Sequence, residues 1–411
     1  MTEPGGSIGH QLDSGRSWLV ALAAATSMFA TFGVAYSFGA FFESMSDEFG
    51  TSSSATALVF SLTISLSFLF GLWTGRWADR VGPRPVLLAA AASLTAGLLL
   101  TSLVQSTWLG YLTYGLGVGF AVACGYVPMV AAVGGWFDKG RTTALGIAVA
   151  GIGVGTLVAV PIITELIERN GWRSTYRLLG LVSFGLLAIA SLGAHRPPTP
   201  PEPPLPILDA IRGRADFWLV YVATFFVSIA LFTPFVYVSN YIDTEDVDGS
   251  APFIIGLIGI TSVAGRLGLG ALAARVPIML LFRVSFAVLG SSFIIWILAG
   301  SSFAGLVVFG LVLGIGYGGF IALSPAVVAE LFGPVGMGGI LGALYSAAGL
   351  GGLLGPPAIG FVIDNAGWNT ALTVAMVSGL VGFAMLMLVK PGHSVTASAN
   401  TEIVASSIPS P

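Results

Sequence analysis

Arg266 is the residue on which chemistry most plainly turns. It sits near the middle of FIIGLIGITSVAGRLGLGALAARV, Phe253 to Val276, a stretch apolar and long enough to cross a bilayer as one helix. An arginine at bilayer depth costs about 2.5–3.5 kcal/mol on insertion scales. A water-filled cavity, a carboxylate partner or an anionic ligand would offset that cost. Gly259, Ser262, Arg266 and Gly270 recur at helical spacing, so one face of this helix is small and polar and suits a cavity wall. The chemistry expected is capture of an anion by a guanidinium. The plain alternative is an arginine held by neighbouring backbone carbonyls.

Few other groups compete for a chemical role. Cys124 is the one cysteine and lies in an apolar run, while His10, His195 and His393 all fall outside such runs. No disulfide, metal cluster or histidine relay is expected, and no nucleophile–base pair marks an enzyme. GIGYGG, Gly314 to Gly319, lies inside an apolar run without a following Lys-Ser/Thr, so it reads as helix packing rather than a phosphate loop. No cofactor and no nucleic-acid partner are expected.

The elements that position Arg266 follow from composition. Hydrophobic residues make up 55% of the 411 residues and charged residues only 9%, against about 25% charged in soluble domains. This predicts an all-α, polytopic membrane protein. About twelve apolar segments are legible, roughly 17–42, 56–78, 85–104, 108–134, 142–166 and 173–194, then 217–241, 253–275, 278–299, 303–328, 338–362 and 368–389. They divide the chain into a cytoplasmic N-terminal tail (1–16), a six-helix bundle (17–194), a linker (195–216), a second six-helix bundle (217–390) and a disordered cytoplasmic tail (391–411). The linker HRPPTPPEPPLPILDAIRGR is too rich in proline to continue a helix, and Ile207 to Ile211 suits a short amphipathic turn.

The halves repeat in the same order. Gly146, Gly153, Gly155, Pro161, Gly171 and Trp172 match Gly342, Gly349, Gly351, Pro357, Gly367 and Trp368 at a constant offset (368 − 172 = 196). GRWADRV from Gly75 matches GALAARV from Gly270 at 195, and Gly117, Gly119 and Pro128 match Gly314, Gly316 and Pro325 at 197. Parallel repeats of this kind place a ligand between the halves near the midplane. Arg266 falls opposite Gly71, so the charge breaks the repeat. Arg16, Arg76, Arg80, Arg84, Lys139, Arg141 and Lys390 fall on one side, while ESMSDE (Glu43 to Glu48) and DTEDVD (Asp243 to Asp248) read as loops on the other. By the positive-inside bias both termini are expected in the cytoplasm, in a multi-pass protein of the cell membrane.

Two motifs carry a family resemblance. GRWADRVGPRPVL resembles the major facilitator signature Gly-x-x-x-Asp-Arg-x-Gly-Arg-Lys through Gly75, Asp79, Arg80, Gly82 and Arg84, with Pro83 departing. Asp79 can pair with nearby arginines, and charges at a helix boundary can bias one packing of the halves over another. WFDKGRTTALGIAVAGIGVG resembles the monocarboxylate transporter signature leading into the fifth helix. Trp136, Phe137, Lys139, Arg141, Ala144, Gly146, Ala148, Ala150, Gly151 and Gly155 fit it. Gly151 and Gly155 also form a Gly-x-x-x-Gly pair that lets backbones approach. Pro356 and Pro357 should bend the eleventh helix and suit a gate.

The resemblance implies a twelve-helix major facilitator fold of the bacterial monocarboxylate transporter and oxalate–formate antiporter group. It further implies a cavity reached by Tyr36, Tyr126, Tyr237, Asn240, Tyr317 and Tyr345, whose polar groups and rings suit a short carboxylate. Two family features are absent. The first helix has no lysine, and the position one turn before Arg266 is Ser262 rather than a carboxylate. The expected function is secondary transport of small monocarboxylates by a monomer in the bilayer, with coupling to protons left open. Efflux of apolar compounds and ligand sensing without transport stand as alternatives.

Overall fold

The computed structural model describes residues 12–138, 141–198, 211–332 and 337–389. Lys139, most of the proline-rich linker with Ile207 to Ala210, residues 1–11 of the expected first tail and all of the second lie outside the described residues, as does the side chain of Arg141; Gly15 and Arg16, expected in the tail, begin the first helix. Every regular element described is helical. Eleven helices are long and apolar enough to cross a membrane, and the last, Met337–Met387, is two spans joined across Gly367. Counting its two arms separately gives twelve crossings (10 + 2).

The spans run Gly15–Phe49, Ser53–Val81, Pro83–Thr101, Thr107–Trp136, Arg141–Asn170 and Trp172–Gly193 in the first half. The second half has Ala215–Thr244, Ala251–Leu272, Ile278–Ala299, Phe303–Phe332 and the two arms of Met337–Met387. With an even number of crossings, residues 12 and 389 lie on one side of the membrane, the terminal side; the opposite is the far side.

Local chemistry sets the ends. Ser52 and Ser250 accept hydrogen bonds from the backbone of Ala55 and Phe253, capping the second and eighth spans. Gly171 and Gly367 turn the chain between spans five and six and between eleven and twelve, with φ of 74° and 79°. Those are left-handed values that glycine adopts without a Cβ penalty. The two positions are 196 apart, so the sequence repeat is also a repeat of backbone geometry.

Packing repeats as well. A Cβ on Gly155 would meet the Phe29 carbonyl oxygen at 2.6 Å, and one on Gly351 would meet that of Phe225. Both pairs are separated by the same offset (351 − 155 = 196, 225 − 29 = 196). Gly151 packs on Ala25 in the same way, so spans five and one approach backbone to backbone. The fourth and tenth spans correct the sequence alignment. Gly119 faces the Thr63 carbonyl and Gly314 that of Ile258, an offset of 195 on both helices rather than 197. A π-helical stretch, Tyr111–Leu116, interrupts the fourth span just before this point, and shifts the phase that a count along the sequence assumes.

The acidic stretch Glu43 to Glu48, expected as a loop, is helical. The first span breaks at Ser37 and continues as Phe38–Phe49, ending at Gly50 with φ 61°. Met45 is buried, and Glu48 accepts from Trp172 Nε1 at 2.7 Å and pairs with Arg173 at 2.6 Å. Those anchors to the sixth span hold the acidic turn in register.

Candidate functional site

Arg266 is only 7% exposed and lies where the halves meet. Its Nη1 donates to the Val149 carbonyl of the fifth span at 2.9 Å. Its Nε and Nη2 are buried and have no hydrogen-bond partner among the described residues. The guanidinium carbon stands 5.4 Å from the ring centroid of Tyr317, within cation–π range. Among the described residues no carboxylate pairs with it. One main-chain oxygen therefore satisfies one nitrogen, and two strong donors are left for something else. Leaving such donors unmade in a dry setting is costly.

Four of the expected tyrosines gather here. Tyr36 and Tyr317 are buried and share a hydroxyl–hydroxyl bond of 3.1 Å across the halves. Tyr126 and Tyr345 lie within electrostatic reach of Arg266 and of each other. Both are partly exposed although their spans are central, so they border open space between the halves. One turn from Arg266 toward the terminal side, a Cβ on Gly270 would meet nothing within 4 Å among the described residues. Spans one, four, five, eight, ten and eleven thus converge on a guanidinium ringed by phenols, with space beside it on the terminal side. A surface groove of about 510 Å³ between Phe70, Leu100, Leu116 and Phe120 lies away from it, on the outer flank of the first half.

Other expected residues are not brought to the guanidinium. Tyr237 is fully buried on the far side, where its hydroxyl donates to the Pro356 carbonyl at 2.7 Å. Asn240 donates to Glu43 at 3.2 Å, also on the far side. Both bonds join the first half to the second or tie the second half's own spans at the mouth, because these side chains leave the seventh helix one and two turns beyond the site. Ser262 is fully buried and donates to Gly259 of its own helix at 2.7 Å. Gly259 is packed rather than cavity-lining: its Cβ would meet the Gly153 carbonyl at 2.9 Å, so spans eight and five cross with no gap. The small face therefore serves two ends, tight packing on one side of Arg266 and space on the other.

The eleventh helix keeps helical dihedrals through Pro356 and Pro357, and its one non-helical residue is Gly367. The pair's carbonyls are used as acceptors, Pro356 from Tyr237 and Pro357 from Ser54 at 2.9 Å. The charged motif stays within the first half. Arg196 donates to the Arg80 carbonyl and lies beside Gly82, whose φ is 93°. Gly75 packs against Val127, while Arg84 is exposed. Asp79 is exposed and has no ion-pair partner among the described residues, against the expected arginine pairing.

Two contributors escaped sequence reading. Val149 acts through its carbonyl, which every residue has. Phe235 stacks on Tyr36 at 4.3 Å and is an ordinary apolar residue by type.

Residues 21–305 and 285–409 match the Major Facilitator Superfamily. The chain belongs to this superfamily. It is 30% identical to monocarboxylate transporter 3 of Rattus norvegicus over 86% of this chain and 75% of that protein. It is 27% identical to the fujikurins efflux protein of Gibberella fujikuroi, over 90% of this chain and 82% of that one. A solved bacterial homolog of the human lysosomal transporter Spinster, inward-facing and unoccupied, shares the fold with a TM-score of 0.71. It is 14% identical over 92% of this chain and 97% of its own. The protein is a multi-pass membrane transporter of the monocarboxylate-transporter-like type, acting on a small molecule.

Proposed function

We propose that this transporter carries small monocarboxylates, lactate- or pyruvate-like in size, by alternating access. The observation that carries the reading is the pair of unpartnered nitrogens on Arg266, buried between the halves. A carboxylate presents two oxygens at the spacing of two guanidinium N–H groups, and such charge-assisted pairs are the strong ones. The surrounding phenols supply hydroxyls for the anion and rings for a short apolar tail. The kinship with proteins named monocarboxylate transporters supports the same cargo. The Lys and Arg bias supports cytoplasmic termini and a place in the cell membrane.

Export of drugs or other apolar compounds is the second reading, favoured by relatives named as efflux proteins. Uptake of labelled lactate and pyruvate into proteoliposomes tests both. Two charge-assisted bonds of about 1.5–3 kcal/mol each make Arg266→Gln roughly 100-fold or more slower at low substrate. Undiminished transport by that variant removes the guanidinium from the mechanism. No uptake of labelled lactate or pyruvate, with transport of a labelled bulky apolar compound instead, favours the export reading.

A further inference from the structure

The groove on the outer flank of the first half lies apart from Arg266. We infer that it is a binding site for an acyl chain of a far-leaflet lipid, and that the chain braces the π-helical stretch Tyr111–Leu116 against spans one and two. The floor is the crossing of spans three and four, where a Cβ on Gly97 would stand 2.9 Å from the Gly117 Cα. Ala96 and Leu100 form one wall, and Leu112 and Leu116 of the π stretch form the other. Phe70 and Phe120 meet edge to face at 5.6 Å and close the inner end.

Depth, width and polarity say what covers it. From Leu112 to Phe120 the groove follows the fourth span for about 12 Å, from near its far end to its middle. That is close to one leaflet, about half of a hydrocarbon core about 30 Å thick. Trp108, one turn before Leu112, is 60% exposed at the far end of the span, where tryptophans meet headgroups. Over that length a volume of about 510 Å³ is a cross-section of about 40 Å² (510/12), about half or less of that of an α-helix about 10–12 Å across. A methylene chain enters such a groove, and the helix of another protein does not. The walls are also dry. Ser93 Oγ donates to the Gly117 carbonyl at 2.9 Å and Thr113 Oγ1 to that of Leu109 at 3.0 Å, so these hydroxyls have partners without water.

The π stretch carries the consequence inward. Tyr111 donates to the Ala55 carbonyl of span two at 2.7 Å, and Tyr114 to the Val34 carbonyl of span one at 3.0 Å. Val34 also accepts from the backbone and hydroxyl of Ser37, where span one breaks. Tyr36, which meets Tyr317 across the halves, lies in that turn. π turns are rare and recur at functional sites. A chain packed on Leu112 and Leu116 adds dispersion contacts to one face of the stretch whose other face holds both spans.

The test uses the full chain in phosphatidylcholine vesicles with a trace of phosphatidylcholine bearing a diazirine midway along one acyl chain. After illumination, adducts are mapped by peptide mass spectrometry. Leu112 and Leu116 should label at least ~10-fold more than Leu181, which is 64% exposed on span six. Ala96→Phe places a ring in the groove from an exposed position; it should cut that labelling at least ~10-fold and leave Leu181 unchanged. Even labelling of the two faces, or groove labelling that Ala96→Phe does not reduce, means bulk lipid only and overturns the site. Labelling of Leu181 without the groove means that protein covers the groove, and overturns it as well. If Ala96→Phe does not fold, the wild-type ratio decides.

Bracing is read by amide hydrogen exchange in steroid-detergent micelles, which offer no flexible chain. Adding phosphatidylcholine should slow exchange across Tyr111–Leu116 at least ~10-fold relative to span six. An equal response of the two segments overturns the bracing. Neither readout involves transport, so the outcome is independent of the cargo.

Discussion

The two ends of the interface between the halves differ. On the far side it is sealed by polar bonds and close packing. Asn240 bonds Glu43, Ser54 bonds the Pro357 carbonyl, Tyr36 stacks on Phe235, and a Cβ on Gly39 would stand 2.8 Å from the Phe235 carbonyl. On the terminal side Gly270 faces open space, and Asp79 is exposed without an ion pair among the described residues. Cross-half packing there is carried by apolar contacts such as Leu267 on Gly146 and Phe68 on Tyr345. Directional bonds close one mouth, while interchangeable apolar contacts border the other. Arg266 sits between the two regimes. A carrier in this arrangement presents its site toward the terminal side, and reversing it requires the far-side bonds to break.

That contrast can be broken by forcing the sealed mouth apart. Gly39→Val places atoms where the Phe235 carbonyl already stands, so the far side cannot close. Transport should fall by at least ~10-fold, since overpacking a tight contact costs about 1–3 kcal/mol. A cysteine introduced as Gly270→Cys, in a Cys124→Ser background, reads the other mouth. Its labelling by a membrane-impermeant thiol reagent from the terminal side should drop when Gly39→Val is added. Unchanged labelling would separate the two mouths and refute a rocking motion.

A finer cut is Ser54→Ala, which removes one hydroxyl bond to the Pro357 carbonyl across the halves. A bond of about 1 kcal/mol shifts the balance of conformations roughly 5-fold toward far-side opening, so Gly270→Cys labelling should fall modestly. The smallest effect concerns Asp79. It is exposed and has no ion-pair partner among the described residues, so its solvated charge contributes little to stability. Asp79→Asn should therefore leave thermal stability at pH 7 unchanged. A clear loss at pH 7 would mean that the carboxylate has a stabilising partner.

The residues that sequence reading placed well are those whose type is improbable in their setting. Arg266 interrupts an apolar helix, and Gly151 and Gly155 recur one turn apart; each has a local cost that only a neighbour can offset. Tyr237, Asn240 and Ser262 were drawn to the site by their polarity. Polarity says that a partner is needed without saying which one, and each found a carbonyl or a carboxylate acceptor of its own. Gly259 matched the period of a cavity wall, yet the same smallness suits a helix crossing, and packing on Gly153 chose the latter.

Hydropathy and glycine spacing by themselves determined the twelve crossings, the doubled six-helix plan and the presence of one buried cation, because membrane insertion and backbone approach depend on residue type along a single helix. Tertiary structure alone decided that the Val149 carbonyl takes one guanidinium nitrogen, that two phenols meet across the halves, and that one mouth is bonded shut. Those outcomes depend on which helices cross and at what register. Residues more than a hundred positions apart, such as Val149 and Arg266, become neighbours only when the bundles close.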